Sequence, residues 1–91
     1  MYRFSEGICS VRNRDGGVVL DVSHDRIFRL NACGAAVLES VEKGCSEEEI
    51  AGEIAIRYGV EREIALNDVR VFLQSLANRG VLSLSKIRRS V

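Results

Sequence analysis

The stretch "RIFRLNACGAAVL", Arg26 to Leu38, decides how the chain is organised. Up to Leu30 its apolar residues alternate, as on a strand; beyond it they cluster at Ala32, Ala35, Ala36 and Leu38, a spacing that suits a helix. The switch falls on Asn31, a preferred N-cap residue whose side chain satisfies free N–H groups of a helix beginning at Ala32. A strand that runs straight into a helix makes a corner, and the remaining elements can be placed on either side of it.

Upstream lies a meander. In "IFRLN", Phe28 and Leu30 share one face while Ile27 and Arg29 point away, giving its third strand. "SHDR" turns the chain before it, and "VVLDV" supplies the second strand, with Val18, Leu20 and Val22 on one face and Val19 and Asp21 on the other, as a sheet with one buried face requires. "NRDGG", Asn13 to Gly17, is rich in residues that tolerate positive φ and links this strand to a weaker one at Ile8 to Arg12.

Three helices are expected downstream. The first runs to about Lys43 and ends at Gly44, the residue type best suited to a left-handed C-terminal position. Ser46 and Glu49 form a capping box ahead of Ile50, Ala51, Ile54 and Ala55, so a second helix starts there and stops near Tyr58 and Gly59. The third, about Glu61 to Arg79, gathers Ala65, Leu66, Val69, Phe72, Leu73 and Leu76 into one core-facing stripe. Ile64 and Val71 project from nearly the opposite side, beside Asp68 and Ser75, as a second, narrower stripe. Val81 to Ser85 reads as a short closing strand, followed by the basic tail "KIRRS". The fold class is therefore α+β: a three-stranded antiparallel sheet at 8–30, a three-helix part at 31–80, and a short strand with a tail at 81–91, all in a single domain spanning 1–91.

Composition narrows the function. A chain of 91 residues with 46 % hydrophobic and 29 % charged residues is an ordinary globular domain with a small core and little room for catalytic machinery. Thirteen basic residues balance thirteen acidic ones, so no overall field draws it to nucleic acid or to an anionic membrane. No run approaches the length of a membrane span and the start has no secretory pattern, which makes the cytoplasm the expected location. Cys9, Cys33 and Cys45 fit neither a disulfide framework nor a zinc-ligand pattern and are expected as core filler.

Sites for chemistry are scarce. Ser23, His24 and Asp25 are the residue types of a hydrolase triad, but neighbours in one tight turn lack the relay geometry a triad needs. One His and dispersed Cys give no metal site, "DGGVV" lies on a hairpin rather than at a strand-to-helix turn, and no cofactor or catalytic residue is expected. Helices two and three with the strands beside them also suit a winged-helix DNA-binding regulator, but Glu61, Glu63 and Asp68 largely cancel Arg62, Arg70 and Arg79 on the third helix. What remains is the corner: its strand leaves a sheet edge with unpaired N–H and C=O groups, a template for an added peptide. If the third helix lies beside that edge, Ile64, Asp68, Val71 and Ser75 form the wall of a groove.

The ordered set "GGVVLDV", "IFRLNACGAAVLESVEKGCSEEEIAGEIAIRYGV" and "NDVRVFLQSLANRGVL" resembles the PqqD family over about Val18 to Leu82. The telling pieces are Phe28 to Asn31, Gly44 before the capping box, Tyr58-Gly59-Val60, and Asp68-Val69 leading to Phe72-Leu73, Leu76 and Gly80-Val81-Leu82. The resemblance implies a winged-helix-like RiPP recognition element, RiPPs being ribosomally made and post-translationally modified peptides. Such a domain has no catalytic activity. It binds the leader of a precursor peptide as an added strand and presents the core to a radical SAM maturase, to another modifying enzyme or to a leader protease, in pyrroloquinoline quinone, lasso-peptide or other RiPP biosynthesis. Carried onto this chain, the peptide-binding surface is Ile27, Phe28, Arg29 and Leu30 on the strand, and Ile64, Asp68, Val71, Phe72 and Ser75 on the helix. Two other readings stay open, a DNA-binding regulator and a structural subunit of a larger enzyme. The same edge would also permit a homodimer formed by strand exchange.

Overall fold

A computed structural model describes residues 2–84 and has the element order β1 (Tyr2–Phe4), β2 (Ile8–Asn13), β3 (Gly16–Asp21), β4 (Arg26–Leu30), α1 (Ala32–Glu42), α2 (Glu47–Tyr58), α3 (Arg62–Asn78) and β5 (Leu82–Leu84). The basic tail expected at the C-terminus lies outside the described residues. β2, β3 and β4 form the expected antiparallel meander, and the three helices follow it, as in a winged-helix-like α+β domain.

The corner is built as its sequence requires. Asn31 is extended, with φ −80° and ψ 178°, and its side chain accepts a hydrogen bond from the Gly34 backbone N–H at 2.7 Å. That bond satisfies one of the donors a helix N-terminus leaves free, so α1 departs at once from the end of β4. In α2 both halves of the capping box are made: Ser46 Oγ accepts from Glu49 N–H at 3.1 Å and the Glu49 carboxylate accepts from Ser46 N–H at 2.8 Å. α3 begins after Glu61, which makes no side-chain cap, so its position rests on packing.

That packing is a single core. Val37, Leu38 and Val41 of α1 meet Ile50, Ala51 and Ile54 of α2, Ala65, Val69, Leu73 and Leu76 of α3, Val19 of β3, and Val81 with Leu82 at the closing strand. Leu38, Ile50, Leu73, Val19 and Val81 are the largest fully buried side chains. Of the stripe expected on the third helix, Leu66 and Phe72 are only partly buried and lie at its margin.

The structure completes two readings and corrects one. The N-terminal residues form a strand, β1, which pairs antiparallel with β5 in the register Tyr2 to Leu84 and Phe4 to Leu82. The strand at 26–30 is therefore the fourth in chain order, although it is the third of its sheet. In β3 the inward face is that of Val19 and Asp21, 0 % and 2 % exposed, while Val22 lies beyond the strand and is 67 % exposed. A period of two separates the faces of a strand without saying which one turns inward, and here Asp21 is carried inside by its partners. Its carboxylate accepts from Arg26 Nη2 at 2.7 Å, pairs with His24 Nδ1 at 3.0 Å and accepts from His24 N–H at 3.2 Å. Of the cysteines, Cys9 is exposed rather than core, and Cys33 and Cys45 are partly buried.

Candidate functional site

Among the described residues β4 is the last strand of its sheet and pairs only with β3, in the register Gly17 to Leu30, Val19 to Phe28 and Asp21 to Arg26. In an antiparallel strand alternate residues turn their N–H and C=O groups to opposite sides, so an edge strand offers half of them to an incoming chain. Among the described residues no other strand occupies this edge, because β1 pairs with β5 at another place in the fold.

α3 runs alongside in the opposite direction. At the start of β4, Arg26 Nη2 donates to the Arg79 carbonyl oxygen at 2.7 Å, and the guanidinium groups of Arg26 and Arg79 both lie over the Phe28 ring, 5.3 and 5.6 Å from its centre. At its end, Gly34 is a point of close approach. A methyl group there would stand 3.3 Å from Phe72 Cζ and 3.6 Å from Leu30 Cδ2, so the absence of a side chain lets helix and strand draw together. The Asp21 carboxylate fixes the Arg26 clamp. Its pKa is held below the ordinary carboxylate value, chiefly by the hydrogen bond from Arg26; burial opposes the shift and His24 assists it.

The residues named from the sequence fall on these two elements. On β4, Phe28 and Leu30 are partly buried toward α1 and α3, whereas Ile27, 69 % exposed, and Arg29 face outward on the opposite side of the sheet. On α3, Ile64 and Val71 are 50 % and 60 % exposed, Asp68 is exposed, and Phe72 and Ser75 are half-buried. With about 100° of rotation per residue, Ile64, Asp68, Val71 and Ser75 share one flank and Phe72 stands between that flank and the core stripe. The arrangement is a strand edge with open hydrogen-bonding groups beside a helix flank with open apolar side chains.

Sequence reasoning missed two parts of this site. One is the chain of contacts from Asp21 through Arg26 to Arg79, which becomes visible only once the β3 face is known. The other is a pocket of about 270 Å³ between the start of α1, the end of α2 and the first half of α3, bounded by Gly34, Ile54, Tyr58, Val60, Asp68 and Phe72. The glycine inside the helical run "NACGAAV" was the signal available for the second.

The rest of the surface offers less. Among the described residues no group of His, Cys, Asp and Glu could hold a metal ion. Ser23, His24 and Asp25 lie in a short turn where His24 is committed to Asp21, and Asp25 has a φ of 54°. On α3 the Arg70 side chain is engaged by Glu47 and Glu48 at 3.3 and 3.6 Å, which removes a cation that a DNA-reading helix would need free. No described helix is long and apolar enough to cross a membrane.

Comparison with known proteins follows the same lines. The sequence matches the family described as coenzyme PQQ synthesis protein D, PqqD, over residues 16–82. The chain belongs to the PqqD family. It is similar in structure to "TbiB1 in Complex with the TbiA(beta) Leader Peptide", with 30 % identity, a TM-score of 0.84, and coverage of 93 % of this chain and 99 % of that one. It is also similar to "Lasso peptide synthetase B1 complexed with the leader peptide", with 25 % identity, a TM-score of 0.84, and coverage of 91 % and 98 %. No curated protein matches the chain significantly.

Proposed function

We propose that this PqqD-family chain is a non-catalytic adaptor that binds the leader segment of a ribosomally made precursor peptide and presents the remainder to a processing enzyme. The observation that carries this reading is the edge of β4, unpaired among the described residues, lying beside the exposed apolar flank of α3. Two solved relatives, each a complex with a leader peptide, support it.

The leader adds to β4 as a further strand. Main-chain hydrogen bonds supply affinity that does not depend on sequence, and side-chain contacts supply selectivity. Ile27, Phe28, Arg29 and Leu30 form the strand side, and Ile64, Asp68, Val71, Phe72 and Ser75 the helix side. The pocket beneath Phe72 and Asp68 accepts an apolar side chain of the leader. Arg26, Asp21 and Arg79 set the width of the groove at its other end and touch no peptide. The likeness to a lasso peptide synthetase favours a lasso precursor over a quinone-cofactor precursor, and hence a leader protease as the enzyme served. Tethering the leader raises the effective concentration of the attached core near that enzyme without any chemistry in the adaptor, in the cytoplasm where such precursors are made.

A fluorescence-anisotropy titration of a labelled precursor leader peptide tests the reading. Saturable binding below roughly tens of micromolar is expected; folded protein that leaves the anisotropy flat across that range contradicts it.

A further inference from the structure

The three-stranded sheet is more apolar on its outside than on its inside. Cross-strand register places Cys9, Leu20 and Ile27 in one row and Val11, Val18 and Arg29 in the next, and both rows face away from the helices. The alternate rows, Ser10 with Val19 and Phe28, Arg12 with Gly17 and Leu30, and Ile8 with Asp21 and Arg26, face the helices and hold most of the sheet's polar side chains. Ordinarily a sheet with one buried face shows the reverse. Val11 is 72 % and Ile27 69 % exposed, and Cys9 is exposed as well. Val18 and Leu20, in the middle strand, are only partly buried by their neighbours, so the apolar face is left incompletely covered by the described chain, and this is explained if another molecule covers it.

We propose that the outward face of β2, β3 and β4 is the docking surface for the enzyme that processes the bound peptide. The inference rests on the adaptor function proposed above. Two features select this occupant over a second copy of the chain. The first is size. Three strands about 4.8 Å apart and five residues long at about 3.3 Å each make a patch of roughly 250 Å², so two copies meeting through this face alone fall well short of the roughly 800 Å² per partner of a stable dimer, whereas a processing enzyme also engages the peptide held at the sheet edge. The second is continuity with the peptide edge. A leader added to β4 becomes the next strand of the same sheet, and every second side chain of the leader then joins the outward face. Leader and sheet together offer the enzyme a wider surface than either alone, so the enzyme binds the loaded adaptor better than the empty one, and by linkage it tightens the leader's binding to the same degree. Arg29 closes the second row and has no carboxylate partner among the described residues, which calls for an apolar enzyme surface with an acidic group at its margin.

The test uses the full chain, its leader peptide and the enzyme that processes the precursor. Val11→Glu on β2, the strand farthest from the peptide edge, places an uncompensated charge in the patch, and Val11→Lys repeats the test with the opposite sign. Both variants are expected to keep the thermal midpoint and the leader affinity of the parent, and to bind the enzyme in the presence of leader at least about tenfold more weakly. Alkylation of Cys9, followed by mass spectrometry, is expected to slow when enzyme and leader are both present. Unchanged enzyme affinity in both variants, an unprotected Cys9, or a parent chain that sediments as a dimer disrupted by Val11→Glu would each overturn the inference. A parent chain that fails to bind the leader would instead overturn the adaptor reading, so the two failures are told apart by the leader titration alone.

Discussion

The two flanks of α3 carry similar side chains and have opposite fates. Ala65, Val69, Leu73 and Leu76 are sealed against α1, α2 and the sheet, whereas Ile64 and Val71, equally apolar, are half or more exposed beside Asp68 and Ser75. A helix needs only one apolar stripe to hold its place in a small domain. The first flank completes that task, so the second is surplus to folding, and it lies along the only side of the sheet where β4 has no partner among the described residues. Burial within the domain and readiness for a partner have thus been divided between two sides of one helix.

Substitutions that treat the flanks alike can break this comparison. The largest effect is expected from Val69→Asp, which forces a carboxylate into the core. The cost is about 3–5 kcal/mol or more, a large part of the roughly 5–15 kcal/mol that holds a domain together, and loss of the cooperative thermal transition in circular dichroism is the outcome to check. Val71→Asp, two residues on, should leave the thermal midpoint within about 2 °C of the parent and weaken leader binding by about tenfold, or 1.4 kcal/mol. Equal destabilisation by both would show that the flanks do not differ.

A smaller effect is expected where the helix is fastened to the strand. The Asp21 carboxyl has a folded-state pKa below its unfolded value, chiefly through Arg26, so its contribution is fully present above the ordinary carboxylate range and is lost as pH falls through the folded-state value. Asp21→Asn should lower the thermal midpoint at neutral pH and flatten its decline below about pH 4, as measured by melting curves across that range. The parent and variant should then converge in acid. Ile64→Ala sharpens the comparison most finely: it trims the open flank at the end of α3 far from the Arg79 contact, with an expected loss of about two- to fivefold in leader affinity and no change in melting.

Much of this arrangement was legible in the sequence because it rests on local rules. The Asn31 cap, the Ser46 and Glu49 box and the two stripes of α3 are written in spacings of three and four residues, and each appears where those spacings place it, save that Leu66 and Phe72 fall at the margin of the core stripe. What was not legible depends on distant partners. Tyr2 to Phe4 has no pattern of its own and becomes a strand only through β5, some eighty residues later. Alternation in β3 defined two faces but not which one is inward, and the answer came from Asp21, a charged residue buried because Arg26 and His24 meet it there. Cys9 was misplaced for the same reason, since it shares the outward face with Leu20. The strand half of the site was named by family likeness, and the structure adds that Phe28 and Leu30 lean toward the helices while Ile27 and Arg29 lie on the far side of the sheet.

Amide hydrogen exchange of β4, followed residue by residue with and without the leader peptide, tests the added strand most directly. Alternate amides from Arg26 to Leu30, those not already bonded to β3, should slow markedly when the leader is bound, and they should do so whatever side chains the leader carries. Exchange in β4 that is unchanged at saturation, with protection appearing elsewhere, would mean that the leader does not bind as a strand on this edge.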